Sequence, residues 1–290
     1  MKKYLIINAD DCGSCFAANE AVEHLFDHGA ITSATLMVPC PWAEDAIQRA
    51  KRNPRIKLGL HTTLTCEYEK YKWGPISRDC TSLMNSQGYF YATADECLQH
   101  AKEDEVRREL YAQFDWMKRR GVMPEHIDNH MATAYGEFLP IAYQMCVQYH
   151  LNFRLPRIPE TFSPDADEIQ KAPFRQAAAE AERLGIGLPD GLFTCGADVA
   201  ASDTYEQFRG YYMDILRRCP EGISELFVHP CIETEELKYF NPQWVKRVWE
   251  YRVLLDPVFR ACIEENSIQL CTYSDAPFYC LPFKKADAFC

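Results

Sequence analysis

The chain has 290 residues, of which 47% are hydrophobic and 25% are charged, and its formal net charge is -11. This size and composition are those of a soluble globular protein with a large core, and the negative charge argues against nucleic acid or an anionic membrane as the main partner. No stretch approaches the roughly 18 apolar residues of a transmembrane helix. The start, Met1-Lys2-Lys3, leads into a strand without a small-residue cleavage site, so we expect a cytoplasmic protein with no signal peptide.

The 14 cysteines are scattered from Cys12 to Cys290 without a paired rhythm. In a chain with no export signal we interpret them as reduced, small apolar residues. Cys12-Gly-Ser-Cys15 has the C-x-x-C spacing of a redox dithiol or of half a zinc site. The chain has no second C-x-x-C to complete a structural zinc site, so we favour the apolar interpretation.

In chain order, short apolar runs alternate with segments of helical periodicity. Strands are predicted at about 3–8, 31–38, 56–60, 126–130, 153–157, 192–195, 223–228 and 268–273. Helices are predicted at about 19–28, 43–50, 93–121, 139–149, 165–184, 205–218 and 242–265, the last with a break at Asp256-Pro257. The alternation indicates a parallel α/β architecture, and seven or eight units favour a barrel over an open sheet.

No internal repeat or linker indicates a second domain, so we predict one domain over residues 1–290 with an insertion at about 159–190. The tail 277–290 has no clear pattern. Residues 62–93 form a long segment that is rich in loop residues, and loops of this length are more often functional than idle.

Two adjacent carboxylates, Asp10 and Asp11, follow the first predicted strand, and Gly13 comes just after them. Because side chains alternate along a strand, the two acids are expected to point in different directions. One could then hold a metal while the other faces a bound water, and a cation would relieve the repulsion between them. A solvated turn, with Asp bonded to the backbone and Gly at positive φ, is the alternative.

Further polar residues fall at or just past the ends of other predicted strands. They are His61, His126, Asp128, His130, Arg154, Arg157 and His229. In a β/α barrel these ends converge on the face where active sites are built. The other histidines lie on predicted helices, where we expect surface or packing roles: His24, His28, His100 and His150.

Two imidazoles and one carboxylate suit a divalent transition metal with open positions for water and substrate. His126, Asp128 and His130 share a strand face, so the acid could orient a neighbouring imidazole. The spare carboxylate of the acidic pair would accept a proton from an activated water, and His229, if protonated, could donate one to a leaving nitrogen. An arginine could hold the base in place or bind developing negative charge.

The ordered motifs resemble those of the YdjC-like carbohydrate deacetylases, a group that includes chitooligosaccharide (diacetylchitobiose) deacetylases. The likeness runs in register from about residue 3 to 275. The motifs are Asn8-Ala-Asp-Asp-Cys-Gly13, Gly59-Leu-His61-Thr-Thr-Leu-Thr65, Ser82-Leu-Met with Gly88-Tyr-Phe90, His126-Ile-Asp-Asn-His130, Arg154-Leu-Pro-Arg157 and Leu226-Phe-Val-His-Pro230. The resemblance implies a distorted (β/α) barrel of the glycoside hydrolase/deacetylase type and metal-dependent removal of N-acetyl groups from amino sugars.

Matched residue by residue, the resemblance implies that one divalent ion, zinc or magnesium, is bound by Asp11, His61 and His130. It also implies that Asp10 is the general base and His229 the acid. Arg154 or Arg157 would lie near the site, with Asp128 and His126 behind the ligands.

Aromatic residues of the long loop, Tyr71 and Trp73 among them, could stack on sugar faces or cover the barrel mouth, and both interpretations stay open. The chain departs from the family pattern at Cys12, at Cys231, and after His130, where Met131-Ala-Thr-Ala-Tyr135 replaces further histidines. These departures leave the exact sugar undecided.

The sequence therefore predicts a hydrolase that cleaves the acetamide of an N-acetylated amino sugar, such as a short chitooligosaccharide, with a small carbohydrate as its partner and a homo-oligomer as a compatible state. A catalytically silent sugar-binding or regulatory barrel is the alternative, although binding alone does not need both Asp10 and Asp11. A non-haem iron oxygenase could use the same ligand types, but it normally sits in a double-stranded β-helix, which the strand–helix alternation disfavours.

Overall fold

In a computed structural model, residues 2–196, 199, 203–276 and 278 are described. Eight strands form one curled sheet in which every strand pair is parallel. The strands are β1 (Lys3–Cys12), β2 (Ser33–Leu36), β3 (Leu58–Thr62), β4 (His126–Asn129), β5 (Asn152–Phe153), β6 (Gly191–Phe193), β7 (Gly222–Val228) and β8 (Ile268–Leu270). Their order is β5-β4-β3-β2-β1-β7-β6, and β8 pairs with β1.

Helices connect the strands and cover the sheet. Within the described residues they are α1 (Phe16–Asp27), α2 (Ala43–Arg52), α3 (Ala94–His100), α4 (Glu103–Arg119), α5 (Leu139–Tyr149), α6 (Glu168–Arg183), α7 (Tyr205–Arg218), α8 (Glu235–Phe240), α9 (Trp244–Leu255) and α10 (Pro257–Glu265). Short 3₁₀ turns cover Thr81–Leu83, His130–Ala132 and Pro159–Thr161. No helix in these ranges is long and apolar enough to cross a membrane.

Strand β1 lies at the centre of the sheet. It pairs with β7 from Lys3 to Ala9 on one side. On the other side it pairs first with β8 and then, from Asn8, with β2. Leu5, Ile6 and Ile7 are fully buried, as expected for a parallel strand covered on both faces. The buried apolar part of β1 therefore fixes the position of the residues at the carboxyl end of this strand.

The two ends of the sheet order are bridged by backbone hydrogen bonds. The N–H of Phe153 donates to the carbonyl of Gly187 (3.0 Å), and that of Ile158 donates to the carbonyl of Asp190 (2.9 Å). These bonds join the exit of β5 to the segment that leads into β6. The predicted distorted (β/α) barrel is therefore confirmed. The segment predicted to be an insertion contains the expected helix, α6, which begins at a capping box of Asp167 and Gln170.

Several boundaries differ from the prediction. The helix predicted over 93–121 is two helices, α3 and α4, and Thr93 caps the first through the N–H of Glu96. Strand β5 ends at Phe153, whereas the predicted strand extended through Pro156. Pro156 has no N–H to donate to a sheet, which disfavours a strand that continues through it. Helix α8 was not predicted. The tail beyond residue 278 lies outside the described residues.

The loop after β3 is held in place by two buried carboxylates of α4. Glu109 accepts hydrogen bonds from the backbone N–H groups of Ile76 (3.1 Å) and Ser77 (2.9 Å). Glu105 accepts one from Ser82 (2.7 Å). Side chains thus satisfy backbone groups that have no sheet partner, which gives this long segment a fixed path above the barrel.

The 12 cysteines within the described residues are buried, in agreement with their interpretation as apolar residues. Burial raises the pKa of the Cys12 thiol to about 12, so it is not a reactive thiolate at neutral pH. Cys15 packs in one apolar cluster with Cys231, which follows β7. The geometry therefore gives no support to a Cys12–Cys15 redox dithiol.

We predict that Gly59→Ala destabilises the protein. A Cβ at Gly59 in β3 would lie 2.3 Å from Cε1 of His126 and 2.8 Å from Cγ2 of Thr35. Overpacking of this kind lowers the free energy of unfolding by about 1–3 kcal/mol. Gly210→Ala is the matched control, because a Cβ there meets nothing within 4 Å and alanine favours the helix. Urea unfolding should separate the two, and equal stability of both variants would contradict the packing described here.

Candidate metal centre and active site

Asp10 and Asp11 both lie within β1, which runs to Cys12 rather than ending at about residue 8 as predicted. The register between β1 and β2 shifts between Ala9 and Cys12, and Asp11 has φ +62°. This irregularity interrupts the alternation of side chains. Both carboxylates consequently line one cavity, whereas alternation alone predicts that they point in different directions.

The turn after Asp11 is fixed by Asn19 of α1. Its Oδ1 accepts a hydrogen bond from the N–H of Gly13 (2.7 Å), and its Nδ2 donates to the carbonyl of Trp42 (3.0 Å). Gly13 has φ +85°, as the predicted turn required. A left-handed conformation at a non-glycine residue costs of order 1–3 kcal/mol, so the surrounding bonds have to hold Asp11 in place.

Asp11, His61 and His130 come together at the ends of β1, β3 and β4. Oδ1 of Asp11 lies 3.4 Å from Nε2 of His61 and 3.3 Å from Nδ1 of His130. One potential ligand atom from each residue lies within 4.8 Å of the others, and all three side chains are buried. Oδ1 of Asp11 has no hydrogen-bond partner in the described part of the chain. A buried carboxylate oxygen facing two imidazole nitrogens fits a divalent cation.

Each of these side chains is held by a second polar group. Nδ1 of His61 is 2.6 Å from Oδ1 of Asp128, and Nε2 of His130 is 3.0 Å from Oε2 of Glu67. Nη1 of Arg247 is 2.8 Å from Oδ2 of Asp11. Hydrogen-bonded carboxylates commonly fix the orientation of ligand imidazoles. The remaining nitrogen of each ring, and the remaining oxygen of Asp11, are left directed at one another.

The closely spaced charges shift the pKa values of His61, His130 and Asp11. Burial would lower the pKa of His61, but the Asp128 and Asp11 carboxylates outweigh it and raise the pKa to about 10. Burial likewise opposes protonation of His130, yet Glu67 and Asp11 raise its pKa to about 9. Burial acts to raise the pKa of Asp11, but Arg247 and the two imidazoles hold it well below its usual value. Without a metal, both imidazoles therefore carry protons at neutral pH.

Asp10 is held by Arg154 rather than by the imidazoles. Its two oxygens accept hydrogen bonds from Nη2 (2.6 Å) and Nη1 (2.7 Å) of Arg154, and Oδ1 also accepts one from Nδ2 of Asn8 (2.8 Å). Arg154 also lies 2.8 Å from Oδ2 of Asp128 and donates to Glu225 (2.8 Å). A single buried guanidinium thus fixes Asp10 next to the imidazole cluster.

His229 follows β7 at the edge of the same cavity. Its side chain is 29% exposed, and Nε2 lies 3.9 Å from Oδ2 of Asp10. The backbone N–H donates to Oε2 of Glu250 (2.7 Å). Burial lowers the pKa of His229, although Asp11 and Asp10 oppose the effect.

His126 and Arg157 do not belong to the described cavity lining. His126 is fully buried and stacks on Tyr273, with ring centroids 3.6 Å apart; burial lowers its pKa to about 3, and Nε2 is 3.9 Å from Oδ2 of Asp128. Arg157 bonds to Glu182 (2.6 Å) and is not among the described residues that line the cavity. The insertion helix, rather than the reaction centre, determines the position of Arg157.

The two aromatic residues predicted to bind substrate are also turned away. Trp73 is buried, and its Nε1 donates to the carbonyl of Thr65 (2.8 Å). Tyr71 stacks on Phe240 with ring centroids 4.4 Å apart. Neither belongs to the cavity lining in the described ranges. The geometry therefore gives no support to sugar stacking on these two rings.

Three residues that contact the site were not predicted from the sequence. Glu67 lies in the long loop and Arg247 lies on α9. Their positions in the sequence did not indicate a role at the site, because both reach it through tertiary packing. Glu225 had a readable signal, a carboxylate inside the apolar strand β7. It bonds Arg154 and accepts a hydrogen bond from the hydroxyl of Tyr273.

The cavity above these residues has a volume of about 1100 Å³. Its floor contains Asp10, Asp11, His61, His130 and Arg154. Ligand pockets commonly measure about 300–1,000 Å³, so there is room for more than an acetamide group.

Known proteins resemble this chain over nearly its whole length. A carbohydrate deacetylase of Geobacillus stearothermophilus is 30% identical over 279 residues, covering 95% of this chain and 98% of that protein. A chitooligosaccharide deacetylase of Yersinia enterocolitica is 26% identical over 282 residues, covering 95% and 100%.

Among solved structures, the fold is similar to that of an Enterococcus faecalis V583 protein to which cleavage of cellobiose phosphate has been provisionally assigned. The TM-score is 0.76 at 24% identity, with 94% of this chain and 98% of that chain covered. The profile of the YdjC-like protein family matches residues 4–265. The chain therefore belongs to the YdjC-like family.

Proposed function

We propose that this protein is a metal-dependent hydrolase that removes N-acetyl groups from amino sugars. The observation that carries the proposal is the buried Oδ1 of Asp11, which has no hydrogen-bond partner in the described chain and faces two imidazole nitrogens at 3.3 and 3.4 Å. Asp10 lies beside it, fixed by Arg154. Membership of the family and the names of the curated relatives support the same chemistry.

Asp11, His61 and His130 would hold one divalent metal ion. Bound there, the ion would lower the pKa of a water molecule and polarise the amide carbonyl. Two imidazole nitrogens and one carboxylate oxygen suit zinc, whereas magnesium prefers oxygen ligands. We therefore favour zinc as the ion.

Asp10 would act as the general base. It would accept a proton from the attacking water as the water oxygen bonds to the carbonyl carbon. The bidentate contact with Arg154 keeps both carboxylate oxygens in place and compensates their charge before the proton arrives.

His229 would protonate the leaving nitrogen as the C–N bond breaks. Because burial lowers its pKa, the ring has to acquire a proton during the reaction before it can donate one. Oδ2 of Asp10 is 3.9 Å from its Nε2, so the proton taken from water could pass along this path with a small movement of either side chain. Acetate and the free amine are the products.

A short chitooligosaccharide such as diacetylchitobiose is our proposed substrate. The volume of the cavity exceeds the needs of an acetamide group. The name of the Yersinia enterocolitica relative points to the same class of sugar. Acetate release from N-acetylglucosamine oligomers of different length, by metal-free enzyme reconstituted with one ion at a time, tests both substrate and metal.

We predict that Asp10→Asn removes nearly all turnover while the metal still binds. An amide cannot accept the proton from water, and loss of a general base lowers kcat roughly a hundredfold to ten-thousandfold. Acetate release measures turnover, and plasma emission spectrometry measures metal content.

Matched variants make this result specific. His61→Ala and His130→Ala should lose the metal together with the activity, whereas Asp104→Asn, at an exposed ion pair on α4, should change neither. Full activity of Asp10→Asn would contradict the proposal. Sugar binding by the metal-loaded wild-type protein without acetate release would instead favour a catalytically silent binding protein.

We also predict that metal binding strengthens with pH and releases about two protons per ion. His61 and His130, with pKa values of about 10 and about 9, are protonated in the metal-free protein, and only a neutral imidazole binds a metal. The apparent affinity should rise by up to about a hundredfold per pH unit at pH 7–8. Titration calorimetry in buffers of different ionisation enthalpy counts the protons, and none released would contradict the prediction.

The raised pKa values of His61 and His130 also determine how the stability of the metal-free protein changes with pH. Both pKa values lie above that of an unfolded histidine, about 6.5. The stabilisation they provide to the metal-free protein is therefore complete below about pH 6.5 and lost as the pH rises through 9 and 10.

A further inference from the structure

Four aromatic rings form a continuous series that begins at the reaction centre. The ring centroids of His229 and Phe227 are 6.0 Å apart, those of Phe227 and Phe162 are 6.2 Å apart, and those of Phe162 and Phe174 are 6.4 Å apart. The guanidinium carbon of Arg154, which holds Asp10, lies 4.7 Å from the centroid of Phe227. We call Phe227, Phe162 and Phe174 the aromatic wall.

All three residues of the aromatic wall line the 1100 Å³ cavity. Phe162 is 38% exposed, although phenylalanine is normally buried. Exposed apolar surface inside a cavity that also contains charged groups is typical of a ligand-binding site. The wall is therefore available to a ligand that reaches the imidazole cluster.

Two of the three rings come from the insertion at 159–190, a segment with no assigned role. Phe162 follows the 3₁₀ turn Pro159–Thr161, and Phe174 lies on α6. The 3₁₀ turn packs on β6, where Thr161 Oγ1 accepts a hydrogen bond from the N–H of Leu192 (3.0 Å). This contact ties the start of the insertion to the sheet and holds Phe162 next to β7.

A pyranose ring with equatorial substituents presents axial C–H groups on its faces, and these faces pack on aromatic rings. The acetamide that reacts has to sit between Asp11 and His229, so the first sugar lies over the imidazole cluster. The next sugar of a β-linked chain then extends away from that point, and the aromatic wall extends in series from His229.

On this geometry we propose that the aromatic wall is a subsite for the second sugar ring of an N-acetylated oligosaccharide. The proposal rests on the proposed deacetylase function and adds a source of chain-length selectivity. The insertion supplies most of the surface, so it would act as the specificity element of the barrel. Tyr71 and Trp73, which the sequence suggested for this task, do not belong to the described cavity lining.

The test compares N,N′-diacetylchitobiose with N-acetylglucosamine as substrates of metal-loaded enzyme. Phe162→Ala should lower the ratio of kcat/KM for the disaccharide to kcat/KM for the monosaccharide by about fivefold to tenfold, chiefly through KM for the disaccharide. Phe174→Ala should act in the same direction. Phe162→Tyr keeps the ring and should keep the ratio within about twofold of wild type.

Ile169→Ala is the control, because Ile169 lies on the same helix as Phe174, is 83% exposed and is outside the described cavity lining. It should leave both substrates unaffected. Equal losses on both sugars in Phe162→Ala would overturn the subsite, since they would place the ring against the first sugar or its acetyl group. An unchanged ratio in a folded Phe162→Ala protein would overturn it as well.

Direct binding separates this proposal from the proposed function. If wild-type enzyme releases acetate from neither sugar, the function fails, but titration calorimetry with N,N′-diacetylchitobiose still tests the wall. Wild type should bind the disaccharide about fivefold to tenfold more tightly than Phe162→Ala does. Equal affinities would overturn the subsite on their own.

Discussion

Buried negative charge on β1 and β4 has to be compensated, and the site is built around that need. Asp10, Asp11 and Asp128 are all almost completely shielded from solvent. An uncompensated buried charge is strongly destabilising. Arg154 bonds Asp10, Arg247 bonds Asp11, and the two imidazoles of His61 and His130 supply the rest when they are protonated.

In this arrangement a divalent metal ion would supply the same positive charge as two protons. Loss of one proton from each imidazole removes two positive charges, and a divalent ion restores them at the same place. On the proposed function, the pocket would exchange protons for metal without a change in net charge. Metal affinity and pH become linked through the same carboxylates that stabilise the fold.

The irregularity in β1 gives two neighbouring acids two different partners. In a regular strand, Asp10 and Asp11 would face opposite sides of the sheet. With Asp11 at φ +62°, both reach one cavity, where Arg154 fixes the first and Arg247 the second. One guanidinium per carboxylate separates a candidate base from a candidate ligand although they are adjacent in sequence.

The sequence predicted the parts that depend on local pattern. Polar residues at the ends of predicted strands indicated one cluster that included Asp11, His61 and His130, because parallel strands bring those ends to one face. The resemblance to the YdjC-like deacetylases, rather than the pattern, selected these three as the ligands. The irregularity in β1 was not readable, since it depends on pairing with β2. The contacts of Glu67 and Arg247 were not readable either, because a loop and a helix carry them in by tertiary packing.

Aromatic residues show the same limit. Tyr71 and Trp73 were prominent in sequence but pack against Phe240 and the backbone of Thr65. Phe162, in an insertion with no motif, faces the cavity instead. Tertiary packing decides which side chains of a loop face a site, and amino-acid composition does not predict that packing.

The most direct measurement is anomalous X-ray scattering at the zinc edge from crystals of the zinc-reconstituted protein. We expect one strong peak within bonding distance, about 2.0–2.2 Å, of Asp11, His61 and His130, and an Asp10 carboxylate beside it that does not bind the ion. A peak elsewhere, or an ion bound without His61 and His130, would contradict the account.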